Sequence, residues 1–180
     1  MTVDPEMGEG ADFKSTPLPT AKYDKGLQKA FRLLAARARS EKELRAKLKE
    51  AKYERQTVDR IVARLYELSY LNDEAFARQW ARRLAMDKLS GDRRIVTGLE
   101  EKGIDRATCE QILAEIRREV PEREAIRQFI QKRLKGKTLD RLDIRGKRSL
   151  AQCLLGRGFA PDLIFKMITE AQEGKRDDDG

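Results

Sequence analysis

Three stretches of this 180-residue chain align with one another without a gap, and that repeat limits the possible folds more than any other feature. They begin at Leu44 (LRAKLKEAKYERQTVDRIVARL), Ile95 (IVTGLEEKGIDRATCEQILAEI) and Leu150 (LAQCLLGRGFAPDLIFKMITEA). Six columns are apolar throughout: Leu44/Ile95/Leu150, Leu48/Leu99/Leu154, Tyr53/Ile104/Phe159, Val58/Cys109/Ile164, Ile61/Ile112/Met167 and Val62/Leu113/Ile168. The spacing within each copy is that of two amphipathic helices joined by a short turn. The turn falls at Ala51-Lys52, Lys102-Gly103 and Arg157-Gly158, where a left-handed residue ends a helix. Glycine suits that conformation, so Lys52 is predicted to hold it at a cost on the order of 1 kcal/mol.

Each pair follows a further apolar stripe, over about 27–39, 73–89 and 122–135, in which Phe76, Trp80 and Leu84 step by four. Ser40 with Glu43 forms a capping-box pattern that opens a helix at Glu41. Alternating β-branched runs and hairpin dipeptides are lacking. The expectation is therefore an all-α chain of three tandem three-helix repeats, over 27–71, 72–119 and 120–172. A unit of about fifty residues buries little core alone, so the units should stack into an elongated, curved molecule. The proline- and glycine-bearing stretch 1–26 reads as a mobile arm and 173–180 as a disordered tail.

Composition narrows the chemistry. Histidine is absent, which removes the usual neutral-pH base and the commonest metal ligand. Gly136-Lys137-Thr138 lacks the upstream glycine of a phosphate loop, since Gln131 stands there. Asp73 and Glu74 suit the first turn of a helix better than a metal cluster with Asp87. No catalytic residue, metal or cofactor is expected. Cys109 and Cys153, the two cysteines, fall on apolar helix positions and are expected as buried free thiols. No apolar run is long enough to span a bilayer and the start lacks the pattern of a signal peptide. A cytoplasmic monomer with no membrane contact is the expectation.

Thirty-nine basic against thirty-one acidic residues give a net charge of +8, which favours a polyanionic partner. Two sets of cations are candidates for its binding. Lys42, Arg93 and Arg148 share one aligned column, flanked by Arg94 and Lys147, and are predicted in the first turn of each middle helix. A cation there opposes the helix dipole, and with free backbone amides it would make an anion site. The second set, Arg78, Arg82, Arg83 and Lys88, lies along the 73–89 helix away from its apolar stripe.

The segment SEKELRAKLKEAKYERQTVDRIVARLYELSYLNDEAFA resembles the first repeat of the RecX regulatory proteins. The densest likeness is Tyr70-Leu71-Asn72-Asp73-Glu74-Ala75-Phe76-Ala77, joined by Lys102-Gly103-Ile104 and Arg157-Gly158-Phe159, and the resemblance covers about residues 27–172. Departures are Ser69 and Lys52, where glycine is usual, and the loop Leu89-Ser90-Gly91-Asp92. The resemblance implies a protein that binds the RecA recombinase, lies in the groove of the RecA–single-stranded DNA filament, and suppresses strand exchange and ATP hydrolysis. Direct but weak contact with DNA would fit the charge.

Two other readings stay open at this stage. The last two helices of each unit mimic a helix-turn-helix, so a sequence-specific DNA binder is possible. Against it, Glu54, Asp105 and Asp162 stand where base-reading residues would sit. A helical scaffold that gathers proteins alone is the third.

Overall fold

The computed structural model describes residues 20–135 and 138–173. Among the described residues there are nine α-helices and no strand: α1 (Thr20–Ala36), α2 (Glu41–Glu50), α3 (Arg55–Glu67), α4 (Asp73–Met86), α5 (Asp92–Glu101), α6 (Arg106–Glu119), α7 (Glu122–Leu134), α8 (Ile144–Gly156) and α9 (Pro161–Glu173). They form three three-helix units in tandem, with a 3-10 turn at Leu139–Arg141 inside the third. Gly136, Lys137 and the ends 1–19 and 174–180 lie outside the described residues, and the arm and tail expected there with them. No described helix is long and apolar enough to cross a membrane.

Helix starts are set by short polar caps. Ser40, Asn72, Asp105 and Asp143 accept from the backbone N–H three residues on, at 3.3, 2.8, 3.0 and 2.7 Å. The expected Ser40/Glu43 capping box is only half made, because the Glu43 carboxylate turns outward to two cations instead.

The helix-ending turns repeat closely. Tyr53, Ile104 and Phe159 donate their N–H to Leu48, Leu99 and Leu154, and Lys52, Gly103 and Gly158 donate to Lys49, Glu100 and Leu155. Each middle residue is left-handed, with φ of 64°, 91° and 87°. Lys52 therefore adopts the conformation that glycine holds in the other two units. Ser69 does the same at the end of α3, with φ of 56°.

Each unit has its own core. Leu44, Leu48, Ile61 and Leu65 fill the first, Ile95, Leu99, Cys109 and Ile112 the second, and Ile126, Leu150, Leu154 and Phe159 the third. Full burial of one such side chain contributes about 1.5–3 kcal/mol.

Three expectations need correction. α1 opens at Thr20, inside the stretch read as a mobile arm, and ends at Ala36 rather than 39. Gly26, counted as a sign of disorder, is instead a point of close helix contact: a Cβ there would meet Ile61 Cδ1 at 2.6 Å and Tyr53 at 3.1 Å. Tyr23 packs on the same core, and Arg60 lies 4.9 Å above its ring. Cys109 is fully buried, which raises its thiol pKa, but Cys153 is only partly covered. Finally, α8 opens three residues earlier than its counterparts, capped by Asp143, so Arg148 sits a full turn inside the helix.

Neighbouring units meet through one recurring joint. The turn of the following unit is laid against the N-terminus of the preceding unit's middle helix. The backbone N–H of Glu41, first in α2, donates to Asp73 Oδ1, first in α4, at 2.7 Å. Likewise the N–H of Asp92, first in α5, donates to Glu122 Oε1, first in α7, at 3.0 Å. Thus Asp73 joins two units, a stronger reason for its position than the dipole alone.

Candidate functional site

The two joints differ in one Cβ. The residue before the middle helix is Ser40 at the first joint and Gly91 at the second. A Cβ on Gly91 would stand 2.3 Å from Phe159 N and 2.4 Å from Gly158 C. Without it, the Arg157-Gly158 turn comes close enough for two backbone bonds: Gly91 N–H to Arg157 O at 2.9 Å and Arg93 N–H to Gly158 O at 3.2 Å. Among the described residues no backbone bond crosses the first joint, and side chains hold it. Glu43 accepts from Lys102 Nζ at 2.6 Å and from Arg37 Nη1 at 2.9 Å. Burial pushes the Glu43 pKa up, but these hydrogen bonds and charges outweigh it and hold the carboxyl down at about 2.

The aligned positions at the second joint keep the two cations and reverse the one anion. Glu43 is replaced by Arg94, Lys102 by Arg157 and Arg37 by Lys88. With the backbone holding the units together, no carboxylate among the described residues binds these cations. The Arg157 guanidinium lies 4.4 Å above the Phe129 ring and donates to the Lys88 carbonyl. Arg94 reaches the Gly156 carbonyl at 3.4 Å, a weak contact. Lys88, Arg94, Arg133 and Arg157 line one cleft together with Leu84, Phe129 and Cys153, and that lining holds no carboxylate. An adjoining hollow adds Arg93, Trp80 and one acid, Glu101. The tip of the Trp80 indole abuts α5 because position 98 is glycine; a Cβ there would meet it at 2.1 Å.

The candidate cations therefore separate into groups. Arg93, Arg94 and Lys88 come together in the cleft between the second and third units. Arg83 lies in the corresponding groove at the first joint with Arg37, Lys102 and Glu43. Arg78 and Arg82 serve the structure: Arg78 binds Glu115 at 2.9 Å and Glu74 at 2.5 Å, and Arg82 binds Glu119 at 2.8 Å, clamping α4 to α6. Their matching four-residue spacings were visible in the sequence. Lys147 and Arg148 border an apolar groove between α8 and α9, and Lys42 is exposed with its Cβ against the Gly103 turn.

The arrangement expected at the start of each middle helix differs at α5 and α8. At α5 the amides of Gly91, Asp92 and Arg93 already bond to Arg157, Glu122 and Gly158. Arg148 is not in a first turn at all. Two residues of the cleft, Arg133 and Arg157, were not among the candidates. Arg157 was legible as the partner of Lys102 in the turn column; Arg133 carried no repeat signal.

Among the described residues no group of histidine, cysteine or carboxylate side chains could hold a metal. The cleft and the hollow beside it gather Lys88, Arg93, Arg94, Arg133 and Arg157 along one joint, which suits an extended polyanion.

Comparison with known proteins gives a consistent result. Residues 27–65 match the model of the RecX first three-helix domain, and 72–113 that of the second. A regulatory protein RecX of Mycobacterium sp. (strain JLS) is 33% identical over 150 residues, covering 82% of this chain and 81% of that protein. One from Listeria monocytogenes serotype 4a (strain HCC23) is 33% identical over 151 residues, 82% of this chain and 54% of the relative. The crystal structure of RecX from Lactobacillus salivarius superposes with a TM-score of 0.70 at 23% identity, over 86% of this chain and 99% of that one.

Proposed function

The chain belongs to the RecX family, and on that premise we propose that it binds the RecA recombinase and its single-stranded DNA filament and inhibits strand exchange and ATP hydrolysis. The observation that carries this reading is the cleft of Lys88, Arg94, Arg133 and Arg157, which holds no carboxylate. A phosphate strand or an acidic groove wall would supply the counter-charge that these cations lack among the described residues. Its role is binding, and no step of chemistry is assigned to it. RecA filaments form in the cytoplasm, where this reading places the protein, acting as a monomer.

A sequence-reading DNA binder fits less well. Glu54 at the start of α3 is paired with Lys22 at 2.7 Å, and Asp105 caps α6. Both put carboxylates where bases would be read.

The test is titration of RecA on single-stranded DNA with wild-type protein and with Arg94→Glu, across a range of salt. The variant restores at the second joint the carboxylate that the first joint has, so its melting temperature should hold or rise. Filament affinity should fall about tenfold or more, with ATPase inhibition in parallel, and its salt dependence should be shallower by about one unit of log–log slope. Equal affinity and equal slope would remove the cleft from the site.

A further inference from the structure

The third unit carries a second exposed surface of quite different character. Ile144 is 74% exposed, Phe165 72% and Leu155 45%, and the three line one groove between α8 and α9 with Ile164 and Ile168. Phe165 stands where the other units have Asp59 and Glu110, and Leu155 where they have Lys49 and Glu100. In the first unit that face is polar and internally paired, with Arg45 on Asp59 at 2.5 Å. The same helical positions are thus apolar only in the third unit, and large side chains stay in water there. Clustered exposure of this kind marks a surface that another molecule covers.

We infer that this groove docks an acidic amphipathic helix of a partner protein. The apolar floor along α8, from Ile144 to Leu155, is about 16 Å long, three turns of helix, and fits the i, i+3, i+4, i+7 face of such a segment. Lys147 and Arg148 border the groove, and among the described residues no carboxylate lines it. Glutamates or aspartates beside the apolar stripe would therefore meet two cations without a competing acid. That charge pattern also disfavours a second copy of this chain, because a two-fold contact would bring Lys147 and Arg148 toward their own copies. The C-terminal residues Arg176-Asp177-Asp178-Asp179-Gly180 are acidic but have no apolar side chain to fill the floor. The inference is independent of the cationic cleft, which takes a different ligand chemistry on another face.

The experiment uses the full chain and two synthetic helical peptides of about four turns. Both carry leucine at i, i+3, i+4, i+7 and i+11; one has glutamate at the remaining positions and the other lysine. Fluorescence anisotropy should show the acidic peptide binding at least tenfold more tightly than the basic one. Phe165→Ser and Ile144→Ser should each weaken it tenfold or more while melting temperature and helicity stay unchanged, since both side chains are mainly in solvent. Failure of both peptides to bind, or equal binding of the two, overturns the proposal. So does a concentration-dependent dimer in sedimentation that Phe165→Ser abolishes, which would make a second copy the occupant. Acidic-peptide binding that appears only after deletion of residues 1–19 would assign the groove to the chain's own N-terminal segment and overturn it as well.

Discussion

The first and second joints are built on one plan and closed by different chemistry. At the first, Ser40 keeps the incoming turn at a distance, and the ion pairs of Glu43 with Arg37 and Lys102 span it. At the second, Gly91 admits the turn, backbone bonds carry the joint, and Arg94 and Arg157 reach carbonyl oxygens across it instead of a carboxylate. On the far side of each joint, within the unit, the exchange runs the other way. Tyr66 donates to Glu41 at 2.8 Å at the first; its aligned residue Arg117 binds Asp92 at 2.6 Å at the second, and also holds the Ser90 and Val120 carbonyls. A repeat can thus keep its geometry while the charges at a joint change partners, and one missing Cβ permits the change.

The sharpest way to break this comparison is to put the first joint's residue into the second. In Gly91→Ser the backbone itself is permitted, because φ is −78° and ψ 167°, and serine is a better helix cap than glycine by a few tenths of a kcal/mol. The Cβ, however, would press on the backbone of Gly158 and Phe159, which cannot rotate away. Overpacking against backbone should dominate, at about 3 kcal/mol, or a fall in melting temperature of roughly 6–12 °C. A variant that melts like wild type would mean the joint has slack and the glycine is not what sets it.

A smaller contrast separates the far sides. The Arg117 side chain is 13% exposed and serves three acceptors, so Arg117→Met leaves a carboxylate and two carbonyls without their donor. About 2–3 kcal/mol should be lost. Tyr66 is 40% exposed and makes one such bond, and Tyr66→Phe should cost below about 1 kcal/mol. Chemical denaturation of the pair measures the difference; equal losses would mean the joints are equivalent in strength despite their different makeup.

Helical periodicity and the ungapped columns made the all-α repeat legible, because buried apolar positions and left-handed turns leave a local mark on the sequence. Lys52 is an example: its conformation followed from alignment with two glycines. The joints were less legible. Gly26 and Gly91 looked like loop residues, since close approach of a distant helix or turn has no local signature. The basic column Lys42/Arg93/Arg148 looked uniform, yet an extra turn at the start of α8 takes Arg148 out of the first turn, where its two counterparts lie. Arg78 and Arg82 looked free because their acids lie thirty-seven residues away. Repeat alignment placed residues within a unit; which of them face a neighbouring unit depended on contacts between units.

The last contrast tests the first joint by its pH dependence. The Glu43 pKa is lowered to about 2 from its ordinary 4.5, despite burial, by Arg37 and Lys102. A carboxyl with a depressed folded pKa binds protons more weakly in the folded state, so its stabilisation is present above the unfolded value and is lost as pH falls. The full shift would correspond to roughly 3 kcal/mol. Arg37 is about half exposed and screened by water, so about 1–2 kcal/mol is the expected size. Glu43→Gln should then be less stable than wild type by that amount at pH 7, and the gap should close between about pH 4.5 and 2. Arg94→Gln, at the aligned position of the second joint, removes no such pair, so its difference from wild type should not depend on pH in that window. Denaturant midpoints of the three proteins at pH 7, 4.5 and 3 decide the matter. A Glu43→Gln gap that stays constant with pH would mean the carboxylate contributes through packing and not through its charge, and the electrostatic contrast between the two joints would then fail.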